Sequence, residues 1–112
     1  MQFHANHVSS SISGDYYQAM FEEDMNDPDS PYLLIQRQFE TSDGGGCYIE
    51  THDEKYIGHF VLRRVEFTPE SLSIEFDRPS DNLVSVTFSM AVSDFEEASQ
   101  VIKIISGEVY LQ

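Results

Sequence analysis

Most of the chain alternates between apolar and polar residues with a period of two, which is typical of strands buried on one face. The clearest example is the run in which Leu72, Ile74 and Phe76 alternate with polar residues. Turn-forming residues flank this run on both sides. The same pattern predicts strands over residues 2–12, 16–22, 32–39, 47–51, 59–67, 72–76 and 84–90.

The connections between these segments indicate how the strands pair. Gly14 and Asp15 predict a tight hairpin between the first two strands, and residues 23–31 are a loop rich in Asp, Asn and Pro. Residues 32–39 carry few β-branched side chains, so the start of a short helix is the alternative there. Residues 41–46 include three glycines and predict a flexible loop. The last three strands are joined by short turns and therefore predict an antiparallel meander.

The C-terminal part of the chain contains the one clear helical pattern. Ser93 followed by Glu96 predicts a capping box at its start, and Gly107 predicts its end. An apolar stripe at helical spacing comprises Phe95, Ala98, Ile102 and Ile105.

Together these elements predict an α+β fold in a single domain over residues 1–112. A mostly antiparallel sheet would carry the amphipathic helix packed on one face. Val109 and Leu111 would add a short terminal strand.

The charge balance argues against some classes of binding partner. Six basic and twenty acidic residues give a net charge of −14, although 40% of the residues are hydrophobic, which argues against a disordered acidic tail. A field this negative repels nucleic-acid phosphates and anionic membranes. A basic protein partner is one interpretation of the charge, and plain solubility is the other.

The chain also predicts a cytoplasmic location. Cys47 is its single cysteine, so no intrachain disulfide forms, which fits a reducing compartment. The N-terminal residues show no signal-peptide pattern, and no apolar run is long enough for a membrane helix.

No motif predicts catalysis, a metal site or a cofactor, so the chain is not expected to be an enzyme. His4 and His7 are three residues apart, which places them on opposite faces of a strand. The alternative is a small ligand-binding or enzymatic domain that uses Cys47, His52 and His59. That alternative requires the three side chains to converge in one pocket.

The strongest local signal is an acidic segment with aromatic and methionine residues interleaved. Between Asp15 and Asp29 there are six acids and no base, with Tyr16, Tyr17, Phe21, Met25 and Tyr32 among or beside them. Carboxylates that attract a cationic partner and aromatics that anchor it are typical of binding surfaces. The alternative is a solvated loop with core aromatics behind it. The candidate partner-binding residues are Glu22, Glu23, Asp24, Asp27, Asp29 and Tyr32.

One segment carries a family resemblance. Residues 31–37, Pro-Tyr-Leu-Leu-Ile-Gln-Arg after an acidic loop, resemble the Y-L-x-x-Q-R segment of the immunity protein 10 family of bacterial polymorphic toxin systems. Residues 3–8, 47–50 and 56–58 are similar to other parts of that family, in the same order. Where this chain has residues 41–46, members of the family have a longer acidic stretch.

The resemblance implies a non-catalytic immunity protein that binds and neutralises a cognate bacterial toxin domain, without a cofactor. A basic toxin would suit the charge of this chain. The main alternative is an acidic nucleic-acid mimic that inhibits a nucleic-acid-binding enzyme. Open sheet edges would also allow a homodimer. Within the segment of resemblance, Arg37 is predicted to pair with Glu50 on a neighbouring strand.

Overall fold

The computed structural model describes residues 1–40 and 46–111, so the loop predicted over residues 41–46 falls outside it apart from Gly46. The described residues contain nine strands and one α-helix, which confirms the α+β class. The helix α1 spans Val92–Ser106, and short 3₁₀ turns span Glu54–Tyr56 and Gly107–Val109. The strands are β1 (Gln2–His4), β2 (His7–Ser13), β3 (Tyr16–Glu22), β4 (Tyr32–Gln38), β5 (Cys47–Thr51), β6 (Gly58–Phe60), β7 (Leu62–Phe67), β8 (Ser71–Phe76) and β9 (Leu83–Thr87).

The strands are mostly antiparallel, as predicted, but they divide into two sheets. The five-stranded sheet has the order β2-β3-β4-β5-β6, and each neighbouring pair is antiparallel. The four-stranded sheet has the order β1-β9-β8-β7. Strands β7, β8 and β9 form the predicted meander, and β1 joins it parallel to β9.

The N-terminal segment predicted as one strand over residues 2–12 is two strands in different sheets. The N–H of Ala5 donates to the carbonyl of Thr87 at 2.8 Å, and the N–H of Asn6 donates to the carbonyl of Glu22 at 2.9 Å. Successive residues therefore bond to different sheets, and the chain crosses between them at this point.

The segment predicted as one strand over residues 59–67 also crosses between the sheets. The break is at Val61, between β6 and β7. Arg78 contacts both sheets near this crossing. Its guanidinium lies 5.0 Å from the ring centre of Phe60 in one sheet and 5.3 Å from that of Phe76 in the other. Cation–π contacts of this kind hold the two sheets together where they meet.

The core is built from the inward faces of both sheets and from the helix. The predicted alternation in β8 is confirmed, because Leu72, Ile74 and Phe76 are all fully buried. Burial of side chains of this size contributes about 1.5–3 kcal/mol each. The other large side chains that are fully buried are Phe21, Leu33, Ile35, Ile49, Val65, Val84, Val86, Ile102 and Ile105.

The helix packs on the inner face of the five-stranded sheet against β2, β3 and β4, and it also contacts β7. Of the predicted stripe, Ala98, Ile102 and Ile105 are buried, and Phe95 is half-buried and stacks on Phe67 at 5.0 Å. Gly107 ends the helix as predicted, with a φ of 62° and its N–H bonded to the carbonyl of Lys103.

The predicted capping box at Ser93 is wrong. The helix begins at Val92, and the N-cap residue is Ala91, which has no side chain able to cap. Hydrogen bonds from the N–H of Phe88 to Glu70 and from that of Met90 to Pro69 hold the chain beside the meander up to this point. The turn into the helix therefore comes before Ser93, which lies inside the first helical turn.

The end of the chain partly confirms the predicted terminal strand. Tyr110 forms a single parallel bridge with Val65, and the N–H of Leu111 donates to the carbonyl of Val65 at 2.8 Å. Val109 belongs instead to the preceding 3₁₀ turn. Across residues 1–40 and 46–111, no helix combines the length and apolar character needed to cross a membrane.

Candidate partner-binding surface

The five-stranded sheet has an outer face on which no described helix or strand packs. Leu33, Ile35 and Arg37 of β4 point toward the core, and Arg37 donates to the carbonyl of Ile105 in the helix at 3.0 Å. The helix therefore lies on the inner face, and the alternate residues of each strand face outward. We define the outer face as Tyr16, Gln18, Met20, Glu22, Tyr32, Leu34, Gln36, Tyr48 and Glu50.

The outer face carries apolar and aromatic side chains among its polar ones. Met20 and Leu34 are directly opposite each other on β3 and β4, and Tyr32 and Tyr48 flank them. Tyr16 is 41% exposed at the far end of β3. Aromatic and methionine side chains are enriched at the centres of protein interfaces, so this composition favours a protein partner.

The acidic loop, residues 23–31, has a defined conformation beside this face. The Oδ1 atoms of Asp24 and Asp27 accept hydrogen bonds from the N–H groups of Asn26 and Asp29, each at 2.9 Å. The hydroxyl of Ser30 donates to the carbonyls of Asp24 and Asp27, at 3.0 and 2.9 Å. Asx turns of this kind fix the loop without any regular structure.

The acidic loop and the outer face enclose a groove of about 380 Å³, which we call the acidic groove. Its apolar lining comes from Met20, Met25 and Tyr32, and Met25 is 56% exposed. Its carboxylates come from Glu22, Asp24, Asp27 and Glu50, and no Lys or Arg is among the lining residues. The groove thus combines apolar walls with uncompensated negative charge.

Of the six predicted partner-binding residues, Glu22, Asp24, Asp27 and Tyr32 lie together in the acidic groove. Glu23 and Asp29 are exposed on the acidic loop, but they do not line the acidic groove. The nearby aromatics divide between the two locations: Phe21 is fully buried in the core, whereas Tyr16 is exposed.

Glu50 is a member of the groove that sequence reasoning missed. Its carboxylate accepts hydrogen bonds from the hydroxyls of Tyr32 and Tyr48, at 2.9 and 2.8 Å. Burial, together with the Glu50 hydrogen bond, raises the pKa of Tyr32 to about 12. The hydrogen bond to Glu50 is the main cause that raises the pKa of Tyr48. Both phenols therefore keep their protons and donate hydrogen bonds to the Glu50 carboxylate, which fixes its position in the lining of the groove.

The predicted ion pair between Arg37 and Glu50 is wrong. Glu50 is directly opposite Leu34, so it shares the outer face with Leu34, whereas Arg37 is three residues further along β4 and points inward. An odd spacing along a strand places two side chains on opposite faces. Arg37 instead ties β4 to the helix and lies 4.9 Å from the ring centre of Phe39.

The structure does not bring Cys47, His52 and His59 together. Cys47 is directly opposite Phe60 and is buried, whereas His59 is opposite Tyr48 on the outer face, with ring centres 5.3 Å apart. His52 follows β5, where its Nδ1 accepts a hydrogen bond from the N–H of Tyr32 at 3.2 Å. Cys47 and His59 both line one groove of about 270 Å³, but His52 does not, so the three side chains do not share the pocket that the enzymatic alternative requires.

The remaining candidate chemistry is also dispersed. His4 lies on β1 and hydrogen-bonds the hydroxyl of Thr87 at 2.8 Å, whereas His7 lies on β2 in the other sheet. Among residues 1–40 and 46–111, no three His, Cys, Asp or Glu side chains are grouped to hold a metal ion.

Comparison of the chain with protein-family models finds no match, and comparison with curated proteins also finds none.

Proposed function

We propose that this protein is a non-catalytic immunity protein that binds a basic bacterial toxin domain and blocks it. The observation that carries the proposal is the acidic groove, because four acidic residues line it together with Met20, Met25 and Tyr32. The resemblance of residues 31–37 to the immunity protein 10 family supports the same conclusion, and the protein would act in the cytoplasm.

The acidic groove is suited to a Lys or Arg side chain from the partner. The carboxylates would attract the cation, and the methionine and tyrosine side chains would pack along its aliphatic stem. A single exposed ion pair contributes only about 0.2–1 kcal/mol, so the charges alone would steer rather than hold the partner. Most of the binding free energy would come from burying Met20, Leu34, Tyr32 and Tyr48 of the outer face.

The nucleic-acid mimic stays an alternative, and it requires acids aligned along one face. Other exposed acids of the described residues do not line the acidic groove, and they include Glu54, Glu70, Glu96 and Glu108. This distribution favours a local binding site over a duplex-like row of charges.

The test is co-expression with the toxin domain encoded by the adjacent gene, followed by calorimetric titration of the two purified proteins. We expect rescue of growth and a complex whose dissociation constant rises as salt is added. The triple variant Glu22→Gln, Asp24→Asn, Asp27→Asn removes three charges from the groove but keeps the Oδ1 acceptors of the loop. Losing three pairs at about 0.2–1 kcal/mol each would weaken binding by about threefold to a hundredfold.

The matched control is Glu54→Gln, Glu70→Gln, Glu108→Gln, which removes the same number of charges at exposed positions outside the groove. Equal weakening in both triple variants would show that only total charge matters, and it would contradict the groove as the binding site. No complex and no rescue with the wild-type protein would contradict the proposed function itself.

A further inference from the structure

Strand β2 is an edge of the five-stranded sheet, and its outer backbone groups face open space. The N–H groups of Glu23 and Phe39 donate to Pro31 and Asp15, so the odd residues of β3 bond toward β4. Hydrogen bonding alternates along antiparallel strands, so the even residues of β3 bond toward β2. Their partners are the odd residues of β2, which leaves the N–H and C=O groups of Val8, Ser10 and Ile12 pointing away from the sheet.

This edge lacks the usual protection against pairing. Natural edge strands are blocked by charged residues, prolines or bulges. The sequence of β2, His-Val-Ser-Ser-Ser-Ile-Ser, contains no Asp, Glu, Lys, Arg or Pro, and its register with β3 is regular over all seven pairs. In a chain with twenty acidic residues, this seven-residue stretch itself carries no carboxylate, and the nearest acids flank it in the adjoining groove at Glu22, Asp94 and Glu97.

We propose that two copies of the chain pair antiparallel through β2, centred on Ser10, to form one continuous ten-stranded sheet. A two-fold axis at Ser10 places Ile12 of each copy directly opposite Val8 of the other. The outward backbone groups of Val8, Ser10 and Ile12 then bond to each other across the interface. A two-fold interface must be self-complementary. The strand meets this requirement, because Val8 and Ile12 are both apolar and lie at equal distances in the sequence on either side of Ser10.

The side chains around β2 fit the same arrangement. Ile12 is 54% exposed, although it is a large apolar side chain on a strand. Beside the first half of β2 lies a groove of about 510 Å³, which is lined by the apolar residues Val8, Phe88, Met90 and Ala98 and also by the acidic residues Glu22, Asp94 and Glu97. Ile12 of the second copy, opposite Val8, would enter this groove. Each copy thus carries one projecting side chain and one groove to receive it.

The first test is the mass in solution over a range of concentrations, by sedimentation equilibrium. We expect a monomer–dimer equilibrium for the wild-type protein. Ile12→Asp would place a carboxylate beside Glu22, Asp94 and Glu97 of the other copy and should shift the dimer to monomer. The matched control is Ile57→Asp, because Ile57 is 43% exposed and precedes β6, the opposite edge of the same sheet. This control should dimerise like the wild type.

The second test fixes the register by disulfide cross-linking. In the Ser10→Cys variant the two cysteines would be directly opposite, at a Cα–Cα distance of about 5.5 Å, within the range that a disulfide spans. In Ser11→Cys the two Cα atoms would be roughly 8 Å apart, which is too far. We expect covalent dimers from Ser10→Cys and none from Ser11→Cys or from the wild type, whose Cys47 is buried.

A wild-type protein that remains monomeric at all concentrations, with Ser10→Cys failing to cross-link, would overturn the proposal. Cross-linking that is stronger at Ser11 than at Ser10 would overturn the register. Neither result depends on the toxin, so the dimer and the proposed function succeed or fail separately.

Discussion

At the scale of single residues, the pairing of Glu50 with two tyrosines makes the sharpest prediction. Replacing Glu50 with Ala removes the hydrogen bond that is the main cause of the raised pKa of Tyr48, so that pKa should fall close to its ordinary value of 10.0. The pKa of Tyr32 should fall only in part, because burial is its first cause. NMR titration of the labelled tyrosine ring carbons measures both values, and Glu70→Ala is the control. An unchanged pKa of Tyr48 in Glu50→Ala would contradict the hydrogen bond to Glu50 as its main cause.

The same residues set a pH dependence of stability in alkaline solution. Tyr32 keeps its proton to a pH of about 12 in the folded state, whereas the unfolded chain releases it near 10.0. Between these values the folded state binds more protons, so the free energy of unfolding should fall as the pH rises. Tyr32→Phe should make this fall shallower in chemical denaturation measured across the range, and an unaltered slope would contradict it.

At the scale of elements, the sequence pattern and the structure place the start of the helix at different residues. A capping box would make Ser93→Ala costly, by about 0.5–2 kcal/mol. Because Ala91 is the N-cap and Ser93 lies inside the helix, we expect Ser93→Ala to change stability little and Ala91→Ser to stabilise the fold by about 1 kcal/mol. Urea denaturation of both variants distinguishes the two, and a large loss in Ser93→Ala would restore the capping box.

The elements also show what a sequence pattern can and cannot predict. Alternation in Leu72, Ile74 and Phe76 is decided locally, and it predicted the strand and its buried face. The division into two sheets depends on which partner accepts from Ala5 and Asn6, and those partners are distant in the chain. For the same reason the acidic loop was predictable from its composition, whereas Glu50 joins the groove only through the pairing of β4 with β5.

At the scale of the whole molecule, the net charge of −14 should make salt act in opposite directions on different equilibria. The ion pairs of Arg63 with Glu75 and Asp77 and of Arg64 with Glu66 lie at the surface, and surface pairs contribute little. Repulsion among the acids therefore dominates, and salt screens it. We expect added sodium chloride to raise the melting temperature and to strengthen the β2-paired dimer, while it weakens the complex with a basic toxin.

Differential scanning calorimetry and sedimentation at low and at about 0.5 M salt measure the first two effects, because the Debye length falls several-fold over that range. The variant Glu54→Gln, Glu70→Gln, Glu108→Gln carries three fewer negative charges and should show a smaller rise in melting temperature. A melting temperature that falls with salt would mean that attractive pairs outweigh the repulsion. Salt is expected to weaken the toxin complex while it stabilises the free protein, and this difference in sign is informative. Within one protein salt screens repulsion between like charges, whereas in the complex it screens attraction between oppositely charged surfaces.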